Sequence, residues 1–67
     1  MTTKSKIGRK LKKARLDQEM TQVDVAVQAE ISTNYYARVE RDEVSPSFEI
    51  VKEIAKAVKI KPSEILD

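Results

Sequence analysis

Four residues between positions 33 and 38 carry side chains that can bind the edges of nucleic-acid bases. They supply a hydroxyl, an amide, a methyl group and a guanidinium, from Thr33, Asn34, Ala37 and Arg38. A guanidinium can donate two parallel hydrogen bonds to guanine, an amide can pair with adenine in the same way, and methyl groups can contact thymine. An α-helix turns by about 100° per residue, so a helix over this segment places all four on one face. The spacing predicts a face suited to recognising base pairs.

The opposite side of the same segment carries Tyr36 and Val39, so this helix, the third of the chain, has one face to bury. For a lone helix a polar outer face would indicate only a solvated surface. The preceding segment favours a second helix packed before this one, because Thr21 fits an N-cap with Asp24 three residues later, and Ser32 fits the next N-cap. Two short helices joined by a tight turn are typical of proteins that insert a helix into the major groove of DNA.

Three residues near helix starts are candidates for contacts with phosphate. Gln22 and Ser32 lie at or beside helix N-termini, where unpaired N–H groups and the helix dipole favour an anion. Tyr35 lies between the two faces of the third helix, where it could bind phosphate or cover the edge of the core. Capping alone would explain Ser32, and solvation alone would explain Gln22.

Helical spacing also dominates the segments that must position this face, since the chain holds one glycine and two prolines. A first helix is predicted from about residue 5 to residue 19. Its apolar face repeats every three or four residues, at Ile7, Leu11, Ala14 and Gln18. Ile31 is expected in the turn between the second and third helices.

A fourth helix is predicted to begin with Ser45 as its cap and Pro46 at its first position. Its inner stripe is predicted to comprise Phe48, Val51, Ile54, Ala55 and Val58. Ile60 is expected to be a buried loop residue, and a last short helix is predicted from Pro62. Together these elements predict an all-α fold of five helices.

Composition narrows the function classes. A chain of 67 residues forms one domain, which we expect to span residues 1–67 with residues 1–4 disordered. The chain has no cysteine and no histidine, so we expect no metal, no cofactor and no enzyme activity. No stretch approaches the roughly 20 apolar residues of a membrane-spanning helix, and no signal-peptide pattern is present. We expect a cytoplasmic protein that binds neither a membrane nor a small-molecule ligand.

The net charge of +2 hides an asymmetry along the chain. The first fifteen residues hold no acid, and their basic residues are Lys4, Lys6, Arg9, Lys10, Lys12, Lys13 and Arg15. All eleven acidic residues follow. This distribution favours an anionic partner for one end of the protein, with a solvated helix face as the alternative.

A longer set of residues in the two central helices, their turn and the fourth helix carries a family resemblance. The set comprises Met20, Thr21, Gln22, Val25, Ala26, Ala29, Ile31, Ser32, Tyr35, Tyr36, Arg38, Val39, Glu40, Arg41, Pro46, Ser47, Ile54, Ala55 and Val58. It resembles the phage-repressor-like (Xre-type) helix-turn-helix family over about residues 5–66. The resemblance implies a compact five-helix domain that regulates transcription, with repression as the expected mode. Its implied partner is a roughly palindromic operator in double-stranded DNA, bound by a homodimer.

The resemblance also implies roles for particular residues. It places base contacts at Thr33, Asn34, Ala37 and Arg38, and phosphate contacts at Gln22, Ser32 and Tyr35. It implies that Gln22 also braces the start of the third helix. It pairs Arg15 with Glu40 as a partly buried ion pair, and the alternative is that these are two ordinary surface charges. Members of this family often carry glycine where this chain has Glu19, Glu30 and Asp42. At a left-handed helix end, a residue other than glycine costs about 1 kcal/mol.

A small protein-interaction module, such as an antitoxin or anti-repressor subunit, is the alternative function. Its basic first helix could meet an acidic protein, and binding of duplex DNA that weakens with salt would separate the two hypotheses. A dimer is expected to form through Ile60 to Leu66 and the end of the fourth helix. Leu16 lies off the apolar stripe of the first helix, and it packs either under the last helix or in that interface.

Overall fold

The computed structural model describes residues 6–66, which form five α-helices with no strand among them. The helices are α1 (Lys6–Asp17), α2 (Gln22–Ala29), α3 (Thr33–Glu40), α4 (Phe48–Val58) and α5 (Pro62–Leu66). Helix α2 packs on α3 and α4, while α1 contacts α3, α4 and α5. The predicted all-α, five-helix architecture is confirmed. The expectation of disorder at residues 1–4 lies outside the described residues.

Every helix contributes to a single apolar core. Its largest fully buried side chains are Tyr36, Leu11, Ile54 and Ile65. Burying a side chain of this size stabilises a fold by about 1.5–3 kcal/mol, so a small domain depends on nearly all of them. Tyr36 and Val39 point inward from α3, as predicted.

Hydroxyl side chains begin three of the helices. Thr21 Oγ1 accepts a hydrogen bond from the Asp24 N–H at 3.0 Å, and Asp24 Oδ2 accepts one from the Thr21 N–H at 2.9 Å. This reciprocal capping box starts α2, while Ser32 and Ser47 cap α3 and α4. Each cap contributes about 1 kcal/mol. The N-caps predicted at Thr21 and Ser32 are confirmed.

The predicted start of α4 was wrong. Ser47 is the N-cap, so Ser45 and Pro46 lie in the preceding loop and Phe48 is the first helical residue. Phe48 was expected in the inner stripe, but its side chain is 57% exposed, with Lys52 Nζ 5.5 Å from the ring centroid. The stripe begins one turn later at Val51, because the first turn of α4 extends beyond the edge of the core.

Two further predictions, for Gln18 and Ile60, need correction, and the structure disfavours one of the two alternatives for Leu16. Helix α1 ends at Asp17, and Gln18, predicted on its apolar face, is exposed. Leu16 is 54% exposed, so it does not pack under α5. Ile60 is half-buried and packs at the margin of the core, where a buried loop residue was expected.

Within residues 6–66, four residues other than glycine adopt a left-handed backbone. They have φ angles of 57° at Glu19, 61° at Glu30, 59° at Asp42 and 63° at Lys59. The first three are the positions where the family often has glycine, whereas Lys59 was not expected. Each left-handed residue costs roughly 1–2 kcal/mol, so the short turns of this fold are strained in a way that glycine would relieve.

Gly8 lies where α1 meets the end of α3. A Cβ added here would lie 2.2 Å from the carbonyl oxygen of Glu40. The Gly8 N–H also donates a hydrogen bond to Asp42 Oδ1 at 3.2 Å. Asp42 therefore satisfies one of the unpaired N–H groups at the start of α1, from the turn that follows α3.

The substitution Gly8→Ala should lower the free energy of unfolding by about 1–3 kcal/mol, because the new methyl group forces α1 away from α3. In an unobstructed helix the same change stabilises by about 1 kcal/mol, so the sign of the effect is informative. Urea denaturation followed by circular dichroism measures it. Lys12→Ala, at an exposed position of α1, is the control. A stabilised Gly8→Ala protein would contradict the close approach of α1 and α3.

Candidate nucleic-acid interface

The outer face of α3 carries the four residues predicted to contact bases. Thr33, Asn34 and Arg38 are exposed, and Ala37 is half-buried beside them. Beneath this face, Tyr36 anchors the helix with no exposed surface. The structure therefore brings the four side chains together on one surface, and their contacts with bases remain a prediction.

The start of α3 carries two of the candidate phosphate contacts. Ser32 is exposed, and its Oγ accepts a hydrogen bond from the Tyr35 N–H at 3.0 Å, which leaves the hydroxyl proton available to a ligand. Tyr35 is half-buried and packs against the core. Both residues thus have a structural role that is visible in the fold, and their phosphate contacts stay predictions.

Gln22, the third candidate, braces α3 at a different place from the one implied. Its Nε2 donates a hydrogen bond to Glu40 Oε1 at 3.0 Å, so the contact reaches the last residue of α3 and not its first turn. The amide nitrogen keeps a second N–H that this bond does not use.

The Glu40 carboxylate lies at the junction of α1, α2 and α3. Arg15 Nε donates to Glu40 Oε2 at 2.6 Å and Arg15 Nη2 donates to Glu40 Oε1 at 3.2 Å. Arg15 Nη1 donates to the carbonyl oxygen of Met20 at 3.0 Å, in the turn before α2. Only 10% of the Arg15 side chain and 4% of the Glu40 side chain are exposed. The structure thus joins the two residues that the resemblance pairs, in a buried and bidentate geometry.

The pKa of Glu40 is lowered although the carboxylate is largely buried. Burial by itself would raise this pKa, but the hydrogen bonds from Arg15 and the Gln22 amide, together with the nearby polar Tyr36 hydroxyl, favour the charged form and prevail. Burial raises the pKa of Tyr36. Its hydroxyl oxygen is enclosed and makes no hydrogen bond of standard geometry within the described residues, although it lies near enough to influence Glu40.

A second charged cluster lies at the carboxyl end of α3 and was missed at the sequence level. Arg41 donates two hydrogen bonds to Glu43, from Nε at 2.8 Å and from Nη2 at 3.2 Å. Arg38 Nε forms an ion pair with Glu43 Oε1 at 3.4 Å. The hydrogen bond from Arg41 lowers the pKa of Glu43. An acid placed shortly after two arginines was the available sequence signal.

Comparison with known proteins places this geometry in a family. The sequence profile described as helix-turn-helix matches residues 11–65. The chain belongs to the helix-turn-helix family. The helix-turn-helix unit itself is α2, the turn around Ile31, and α3. The predicted resemblance to phage repressors is confirmed, because the chain is similar in sequence to a phage immunity repressor.

An immunity repressor protein of Bacillus phage phi105 is 35% identical to this helix-turn-helix protein over 60 residues. The match covers 90% of this chain and 42% of the relative, so the chain spans about two-fifths of that protein's length.

Two solved structures share the fold. The restriction-modification controller protein C.AhdI from Aeromonas hydrophila has a TM-score of 0.88 and 26% identity, covering 92% of this chain and 94% of its own. The clp gene regulator ClgR from Corynebacterium glutamicum has a TM-score of 0.90 and 21% identity, covering 97% of this chain and 70% of its own.

Within residues 6–66, no helix has both the length and the apolar character needed to cross a bilayer.

Glu40→Ala should lower the melting temperature far more than Glu43→Ala. The first change leaves the Arg15 charge buried without its partner, which costs about 3–5 kcal/mol. The second removes an exposed carboxylate and should change stability by less than about 0.5 kcal/mol. In a domain of this size 1 kcal/mol shifts the melting temperature by about 4–8 °C, so thermal unfolding resolves the difference. Two equal, small shifts would show that the buried pair does not matter.

Acid should remove the stabilisation that Glu40 provides. Because its pKa is lower in the folded state than the value of about 4.3 in the unfolded chain, the contribution is complete above that value. It is lost as the pH falls through the folded pKa. We expect the free energy of unfolding to fall more steeply with acid for the wild type than for Glu40→Gln, which has no titrating group here. Urea denaturation at several pH values between about 5 and 2 measures it, and parallel curves would contradict the assignment.

Proposed function

We propose that this protein regulates transcription, with repression as the expected mode, by binding an operator in double-stranded DNA through α3. The observation that carries the proposal is the outer face of α3, where Thr33, Asn34 and Arg38 project from a helix that is anchored on its other side. A helix held in this way can enter the major groove, in which each base pair presents a distinct pattern of donors and acceptors. The known relatives support the proposal, since they are named as a repressor, a controller and a gene regulator.

Each residue of the face has a proposed task. Arg38 binds a guanine with two parallel hydrogen bonds, Asn34 pairs with an adenine, and the methyl groups of Thr33 and Ala37 contact thymine. These contacts determine which sequence is preferred.

The proposed phosphate contacts fix the protein on the duplex. Ser32 and Tyr35 use their hydroxyl protons, and Gln22 uses the amide N–H that Glu40 leaves available. The N–H groups at the start of α2 and α3 add favourable dipoles for a phosphate. Contacts of this type position a protein without selecting a sequence.

We further propose that two copies bind a roughly palindromic operator. Each copy would recognise one half-site, with the two α3 helices about 34 Å apart, one turn of DNA. The surface around α5 and the end of α4 is the proposed contact between the copies, together with Leu16, which the fold leaves exposed. The proposal includes action in the cytoplasm and no catalytic step, since the chain lacks the histidine and cysteine side chains that most often carry one.

Arg38→Ala should reduce discrimination at one base position by about 1–3 kcal/mol while the domain stays folded. Selection of bound sites from a random duplex pool first gives the operator and its half-site spacing. Fluorescence anisotropy with single-base variants of that operator then measures the loss. Unchanged base preference would show that Arg38 does not contact a base.

Two variants serve as comparisons for Arg38→Ala. Gln22→Ala should weaken all sequences more evenly, because it removes a phosphate contact, and it should also cost some stability through Glu40. Lys52→Ala is the control, since this residue is exposed beside Phe48 in the first half of α4 and belongs neither to α3 nor to the proposed contact between copies. For the wild type, the logarithm of the binding constant should fall with the logarithm of salt by about 0.9 per contacted phosphate. A protein-interaction module would bind no duplex at all.

A further inference from the structure

We infer that Glu43 is a positioning residue for Arg38, which orients the guanidinium for base recognition before DNA is bound. The inference rests on the proposed function and adds a residue that lies outside the recognition helix itself. It gives Arg41 a role as the partner that holds Glu43 in place. The prediction that follows is a change in sequence discrimination, and not in folding, when Glu43 loses its charge.

Glu43 is held at both its backbone and its side chain. Its N–H donates to the carbonyl oxygen of Arg38 at 2.9 Å, which ties the loop to the last turn of α3. Its carboxylate accepts two hydrogen bonds from Arg41 in a bidentate geometry. A carboxylate restrained in this way presents Oε1 to Arg38 from a defined direction. Glu43 is therefore a fixed reference for a long side chain that would otherwise sample many rotamers.

The atom of Arg38 that Glu43 contacts determines which N–H groups of the guanidinium stay available to DNA. Glu43 Oε1 approaches Nε, at 3.4 Å, which is the guanidinium nitrogen nearest the helix. The terminal nitrogens Nη1 and Nη2 donate no hydrogen bond to any of the described residues. A guanidinium is planar, so an acceptor beside Nε fixes the plane while the outer edge keeps two parallel donors. Those two donors are the ones that an end-on bidentate contact with guanine O6 and N7 requires.

The charges around Glu43 favour a role in sequence specificity over a role in general affinity for DNA. Arg38 and Arg41 each carry a positive charge, and the Glu43 carboxylate between them offsets one of the two. Attraction to phosphate at this end of α3 is therefore weaker than two arginines alone would give. This weaker attraction lowers the affinity for unrelated DNA, whereas an Arg38 that is already oriented keeps its contact with the correct base.

The test compares Glu43→Gln with the wild type on two duplexes, the selected operator and one altered at the base pair that Arg38 contacts. The ratio of the two affinities should fall roughly three- to tenfold, the change associated with immobilising one long side chain. Affinity for the altered duplex should rise, because a negative charge near phosphate is lost. Glu53→Gln is the matched control. It makes the same change in a surface ion pair, with Lys56, and the exposed fractions of the two glutamates are 50% and 45%. Thermal unfolding verifies that every variant is folded.

The same pair of duplexes with Arg38→Ala separates positioning from a general charge effect. Glu43→Gln added to Arg38→Ala should leave the ratio unchanged, because there is no guanidinium left to orient. An unchanged ratio for Glu43→Gln alone, an equal fall in both backgrounds, or a higher ratio would each overturn the inference. A higher ratio would mean that Glu43 withholds Arg38 from DNA. If the wild type selects no duplex, the proposed function fails, whereas selection with an unchanged Glu43→Gln ratio overturns only the role of Glu43.

Discussion

The orientation of α3 depends on one carboxylate. Glu40 ends the helix, and its side chain receives Arg15 from α1 and Gln22 from α2. Its backbone carbonyl lies against Gly8, so the same residue fixes the helix on α1 a second time. A buried ion pair often adds little net stability compared with an apolar contact. It does impose direction, because a displaced or rotated α3 would leave a charge buried without a partner. The polar face can therefore be presented at one angle by a domain with a very small core.

Strain and stabilisation occur close together in this domain. Each of the first three turns passes through a left-handed residue that is not glycine, and the hydroxyl caps lie at the next helix start. Asp42 combines both features, because its own backbone is strained while its side chain satisfies an N–H of α1. Short connections of this kind keep the helices close. Their unfavourable backbone energy is offset by the caps and by burial in the core.

The central part of the fold was predictable because its signals are local. Thr21 and Ser32 lie at the right distance before apolar helical patterns, and a helix period of 3.6 residues decides which side chains share the face of α3. The start of α4 was not predictable in this way. Ser45 and Ser47 both resemble caps, and only the reach of Val51 into the core selects the second. The role of Gly8 depends on a contact between α1 and the end of α3, and no local pattern encodes such a contact. The partners of Glu43 are close in sequence, but exposed charges at this spacing are common and the spacing alone does not show that they pair.

The hydrogen bond between Gly8 and Asp42 joins residues 34 positions apart and so bears on the order of folding. A contact between residues so far apart in sequence forms only after the intervening chain has been brought together, because loop closure must come first. The cap that Asp42 supplies to α1 is therefore gained with the tertiary structure, whereas Thr21, Ser32 and Ser47 each cap a helix from three residues away. Local opening of the turn after α3 would therefore release the first turn of α1 as well.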